Sequence, residues 1–194
     1  MKENNENTNG IIDFKPVFEQ LNNELAEIEM TLELICAGGY VMQLHGYRAT
    51  ADVDAFYKSS VELDILIKKV GDDFRINKPD ELWLNNSIAN MNPEPSKEYI
   101  KTVHNFSNLT VNAVDLMYLI GMKLVSGREQ DLKDVGTILK NDKNDQPFDL
   151  LLKLHDMEFN VDISNLLDAY ENAYGINWLD EFYSSNQDEM RKYF

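Results

Sequence analysis

The sequence predicts an α+β (mixed α/β) fold: a small mixed sheet flanked by helices, followed by a C-terminal helical region. Three observations predict it. Four short apolar runs, at 32–37, 52–57, 99–103 and 109–114, are set off by turn-forming and polar residues, as strands are. Helical spacing surrounds the first two of these runs. After Asp115 the spacing is helical to the end of the chain. Mixed strands and helices followed by helices alone fit an α+β or mixed α/β domain with a helical appendage.

Taken in order, residues 1–13 are polar and expected to be frayed. From Phe14 the apolar positions Phe14, Phe18, Leu21, Leu25, Ile28 and Leu32 step by four, three, four, three and four, a helical stripe with Pro16 in its first turn. Residues 32–37 then read as a buried strand stopped by Gly38-Gly39. A brief helix over 40–45 and a second strand over 52–57 follow. Ser59-Ser60 are placed to cap a helix through Leu63, Ile67 and Val70. The stretch 77–96 is loop-rich, although Leu82-Trp83-Leu84 must bury somewhere. Two strands at 99–103 and 109–114 are joined by a turn at 105–108, and helices are expected at 115–126, 129–141, 147–157, 162–174 and 178–192. The domain organisation expected is a frayed 1–13, a core domain over 14–140 and a helical subdomain over 141–194.

Composition narrows the function classes. With 43% hydrophobic residues, the 194-residue chain has material for a core and does not read as disordered. No apolar run reaches the ~18–20 residues of a membrane span. The polar N-terminus lacks a signal peptide's apolar stretch, and the single cysteine, Cys36, fits a reducing compartment. A cytoplasmic location is expected. The net charge of −16 opposes non-specific nucleic-acid binding, which needs a dense field of Lys and Arg.

Two motifs carry chemistry. The first is Ala37-Gly38-Gly39, then a twelve-residue spacer (40–51), then Asp52-Val53-Asp54. A glycine pair after a strand lets the backbone turn tightly and approach a phosphate. Strand residues two apart share a face, so Asp52 and Asp54 converge. Two carboxylates suit Mg²⁺ (or Mn²⁺), a hard cation completed by waters and substrate phosphates. Strand-edge aspartates of no special role are the plain alternative, but an apolar strand gains nothing from two adjacent anions. The second motif spans Lys123 to Val135. Lys123 sits in a helix apolar on almost every side and needs an anion, a triphosphate or a carboxylate, unless it snorkels from the helix end. Arg128, Asp131 and Asp134 share a face of the next helix, which suits an exposed ion-pair ladder as well as a functional cluster.

Over roughly residues 30–140, these motifs resemble the nucleotidyltransferase superfamily with the DNA polymerase β-type core. The stretch 123–135 resembles the bacterial abortive-infection and toxin–antitoxin nucleotidyltransferases and their uncharacterised relatives. That resemblance implies transfer of a nucleoside monophosphate from a nucleoside triphosphate to a hydroxyl acceptor: a tRNA end, a protein or a small molecule. It implies Asp52 and Asp54 as metal ligands, Gly38 and Gly39 as the phosphate turn and Thr50 near the metal. Lys123 would contact the phosphates, with Arg128 beside the nucleotide and Asp131 acidic in a catalytic or supporting role. It also implies a cognate antitoxin or other protein partner.

One departure from the resemblance concerns a third carboxylate on a later central strand, where the candidate strands offer only Thr102, Thr110 and Asn112 as polar members. A nucleotidyltransferase-like module that binds a nucleotide or protein without chemistry is therefore the competing expectation. His45, His104 and His155 have no ligand spacing.

Overall fold

The computed structural model describes residues 11–90 and 93–191, and the chain divides into two compact units, Met1–Asp115 and Leu116–Phe194. Most of the segment 1–13 thus lies outside the described residues. Near its end, the Ile12 carbonyl accepts a hydrogen bond from Gln43 Nε2 at 2.8 Å.

The first unit runs α1 (Lys15–Glu27), β1 (Leu32–Cys36), α2 (Gly38–Leu44), β2 (Val53–Phe56), α3 (Val61–Phe74), β3 (Leu84–Asn85), β4 (Ile100–Asn105) and β5 (Leu109–Val114), with 3₁₀ turns at Ser87–Asn90 and Lys97–Tyr99. The sheet order is β3-β2-β1-β5-β4. β1 is parallel to β5 and antiparallel to β2, so the sheet is mixed as expected. Leu34, Cys36, Val53, Ala55, Leu109 and Val111 face the helical side. There they join Phe18, Leu21 and Leu25 of α1 and Leu63, Ile67 and Val70 of α3 in one buried core. Alternation sends Glu33, Ile35, Asp54, Phe56 and Asn112 to the opposite face.

Three local features differ from the expectations or complete them. The stripe from Phe14 does not continue to Leu32. The helix ends at Glu27, leaves Ile28 46% exposed and hands Leu32 to β1. Glu29 adopts φ 54°, Glu29 N–H bonds the Ala26 carbonyl and Met30 N–H bonds the Leu25 carbonyl. This is a Schellman stop built on a glutamate, without the glycine that marks such stops in sequence. Ser60 caps α3 as predicted, accepting from Leu63 N–H at 3.2 Å. Within 77–96, Trp83 buries fully and donates from Nε1 to the Ile67 carbonyl at 2.9 Å, which ties the loop to α3.

The second unit is helical: α4 (Leu116–Ser126), α5 (Glu129–Asp142), α6 (Pro147–Asp156), α7 (Ile163–Tyr174), α8 (Ile176–Ser185) and α9 (Gln187–Met190). The helices over 116–142, which the sequence reading groups with residues 14–115, cluster in space with the C-terminal ones. α5 and α7 pack closely because Gly136 leaves room. A Cβ there would meet the Ala169 carbonyl oxygen at 2.9 Å. The helix expected over 178–192 is two helices, broken at Asn186, whose side chain donates to the Phe182 carbonyl. Residue 192 lies outside the described residues. Among the described residues, no helix is long and apolar enough to cross a membrane.

Candidate active site

The turn after β1 closes directly onto the start of β2. Ala37 N–H donates to the Asp54 carbonyl at 2.9 Å, and Gly38 follows at φ 58°, a conformation costly for any residue with a side chain. A Cβ on Gly38 would sit 2.6 Å from Asp54 Oδ2, and one on Gly39 would sit 2.5 Å from Thr50 Oγ1. The glycine pair is therefore required by both the turn and the groups packed against it. Thr50 is fixed in turn: its N–H donates to Gln43 Oε1 at 2.9 Å, and its hydroxyl donates to Asp52 Oδ1 at 3.0 Å. Strand, turn and helix α2 thus position one hydroxyl and two carboxylates.

Asp52 and Asp54 open onto a cleft of about 480 Å³, the size of a small-ligand site. Asp64, Asp80 and Glu81 also line it, so its lining is strongly acidic. A cation already answers that charge, since Lys78 Nζ lies 3.0 Å from Asp52 Oδ2 and 2.9 Å from Glu81 Oε2. The Lys78 ammonium is held more strongly protonated by its hydrogen bonds to Glu81 and then Asp52. Below the glycine turn, Cys36 is fully buried, and burial followed by the Asp54 charge pushes its thiol well above the usual range. It is an inert core thiol.

The second unit holds another constellation. Lys123 is 5% exposed, so it does not snorkel. Its ammonium lies 2.6 Å from Asp131 Oδ1 and 2.7 Å from Asp134 Oδ2. Asp131 Oδ2 accepts from Ser126 Oγ and Arg128 Nε, each at 2.7 Å, and Gln130 Nε2 donates to Asp134 at 3.0 Å. Burial alone would raise the Asp131 carboxyl. The hydrogen bonds and charge of Lys123, with Ser126 and Arg128, outweigh it and hold the group below its ordinary range. The cluster is a buried, charge-balanced tie between α4 and α5, not an exposed ladder. Arg128 reaches out, with 71% of its side chain exposed.

Residues 13–180 match the family described as nucleotidyltransferase of unknown function (DUF6036). The chain belongs to this family. The match runs across both compact units. No curated protein and no solved structure matches the chain significantly.

Within this family member the structure gathers Gly38, Gly39, Thr50, Asp52 and Asp54 in the first unit, and Lys123, Arg128 and Asp131 in the second. Strand register also shows which residue of β5 stands beside Asp54. Cys36 pairs with both Ala55 and Ala113, so Val114 comes level with Asp54 on the same sheet face, and Val114 is apolar and buried. Asn112, one alternation back, donates to Glu33 instead. Among the described residues, no group of three or more His, Cys, Asp or Glu is arranged to hold a metal ion. Sequence reasoning missed Lys78, Asp64, Asp80 and Glu81. The only signal for them was a charged loop and a helix start flanking the Asp52–Asp54 strand, and neither carries a spacing rule.

Proposed function

We propose that the protein is a metal-dependent nucleotidyltransferase. It would transfer a nucleoside monophosphate from a nucleoside triphosphate to a hydroxyl acceptor. The observation that carries this reading is the pair Asp52 and Asp54, opening together onto one cleft against a glycine turn that only glycine fits. Two aspartates form an all-oxygen donor set suited to Mg²⁺ or Mn²⁺, and the Lys78 ammonium resting on Asp52 marks a place where a cation is favoured. Bound there, the ion would neutralise the triphosphate and polarise its α-phosphate.

The chain's own residues divide the remaining work. Thr50 aims Asp52 through its hydroxyl, and the Gly38–Gly39 turn admits a phosphate close to the backbone. Lys78 would exchange its carboxylate partners for phosphate oxygens when a nucleotide enters. Lys123 and Asp131 would act by holding Arg128, whose guanidinium Nη groups carry no partner among the described residues, ready for an anion. The test is a calorimetric titration of each nucleoside triphosphate with Mg²⁺ into the wild type and an Asp52→Ala/Asp54→Ala variant. Metal-dependent binding lost in the variant is expected. Absence of any nucleotide binding by the folded wild type would overturn the enzymatic reading.

One observation favours a second reading. With Val114 level with Asp54, the glycine turn has two carboxylates beside it where the resemblance implies that active members often have three. A silent nucleotide-binding or protein-binding module would bind nucleotide in the same titration yet release no pyrophosphate with any acceptor. The resemblance of residues 123–135 further supports a place in a toxin–antitoxin or phage-defence pair, in the cytoplasm, with a cognate antitoxin as partner. A neighbouring gene for a small antidote protein would support that placing.

A further inference from the structure

On the side of the sheet opposite its helical core, the first unit carries a second cleft, of about 460 Å³, walled by Ile35, Phe56 and Pro95. Glu33, Glu94, Lys58 and Lys97 supply its charges, two of each sign, and Tyr57 lines both this cleft and the acidic one. We infer that this second cleft is the acceptor site and that it takes a small hydroxyl-bearing zwitterion. Its role as an acceptor site rests on the nucleotidyltransferase reading; its binding of a zwitterion does not.

The charges are what select the ligand. Glu33 is aimed by a relay: Thr102 Oγ1 donates to Asn112 Oδ1 at 2.8 Å, which fixes the amide, and Asn112 Nδ2 donates to Glu33 Oε1 at 2.8 Å. The second carboxylate oxygen of Glu33 has no partner among the described residues, and neither do Lys58 and Lys97. With Glu94, the cleft holds two carboxylates and two ammonium groups, and a ligand carrying one ammonium and one anionic group satisfies both signs together. A polyanion would meet the lysines but also Glu33, Glu94 and a chain of net charge −16. A simple cation would leave the lysines facing it.

Tyr57 connects the two clefts. Burial, then the charge of Asp64, holds its phenol protonated far above neutral pH. The hydroxyl has no partner among the described residues, so it is available to hydrogen-bond the acceptor at the junction. The acceptor hydroxyl oxygen would form a bond to the α-phosphorus. The bond from that phosphorus to the pyrophosphate bridging oxygen would break, pyrophosphate would leave with the electron pair, and the hydroxyl proton would pass to water.

The test is ligand-observed NMR binding of L-serine, L-homoserine and L-tyrosine, with ethanolamine and glycolate as half-ligands and a short RNA oligonucleotide as a polyanion. The proteins are the full chain, Glu33→Gln, Lys58→Ala/Lys97→Ala and Asp52→Ala/Asp54→Ala, each checked for fold by circular dichroism. Expected are saturable binding of at least one amino acid, at least tenfold weaker binding in Glu33→Gln, and weaker binding of both half-ligands. In Asp52→Ala/Asp54→Ala, nucleotide binding is lost while the amino acid still binds, which separates this inference from the reading it builds on. Three results would each overturn it: no amino acid binding by the folded wild type, whether or not it binds nucleotide; binding unchanged in Glu33→Gln; or binding of the oligonucleotide alone, lost in Lys58→Ala/Lys97→Ala.

Discussion

At Lys78 and Lys123 the same side chain plays opposite parts. Lys78 is 47% exposed and rests on Asp52 through a bond that solvent screens, so it is replaceable. Lys78→Met is expected to tighten Mn²⁺ binding to the nucleotide-free protein by about two- to fivefold, the equivalent of an exposed ion pair, measured by calorimetry. Unchanged affinity would show that Lys78 does not compete for Asp52. Lys123 is buried between two carboxylates that are themselves nine-tenths or more buried. Lys123→Met removes the buried cation from between Asp131 and Asp134 and leaves Arg128 on Asp131 alone, and a loss of about 3–5 kcal/mol in chemical denaturation is expected. A loss under about 1 kcal/mol would mean the pair takes up protons or water readily. The need of Lys123 for an anion was legible from its apolar helix. That the anions are its own chain's Asp131 and Asp134 was not, because spacing along a helix does not say which neighbouring helix face it meets.

The elements are held by end signals that differ in visibility. Ser60 is a recognisable cap, and Ser60→Ala should cost about 1 kcal/mol by removing the acceptor for Leu63 N–H. Equilibrium urea unfolding would measure it, and no change would mean that water replaces the hydroxyl. The stop of α1 at Glu27 was not recognisable, since Glu29 takes the left-handed conformation without being glycine. The stripe of apolar residues therefore reads, in sequence, as running on into β1. The α4–α5 tie also sets a pH dependence. The Asp131 carboxyl is lowered from an ordinary value of 3.8, so the unfolded chain binds its proton first as pH falls. Its stabilising contribution is complete above that value and is lost as pH falls through the lower folded value. Circular dichroism across pH 5 to about 2 should show the helices of the second unit weakening over this window, and the slope should shrink in Asp131→Asn.

For the molecule as a whole, net charge is the dominant property. At −16 the chain is expected to pass unretained through a heparin column at about 0.15 M salt, because retention needs a basic patch that releases counterions. Retention would expose such a patch and reopen a naked RNA acceptor. The sequence by itself determined the fold class, the order of the longer strands and helices, and the placing of Asp52 and Asp54 behind Gly38-Gly39. β3, inside the stretch read as a loop, and the break between α8 and α9 were not legible. Period-two and 3.6-residue patterning and glycine turns are local rules, legible one segment at a time. Only the tertiary structure decided which groups share a cleft. Strand register set Val114 level with Asp54, brought Asn112 to Glu33, and placed Tyr57 between two clefts. Register and loop packing join residues far apart in the chain, through contacts whose partners no local pattern names.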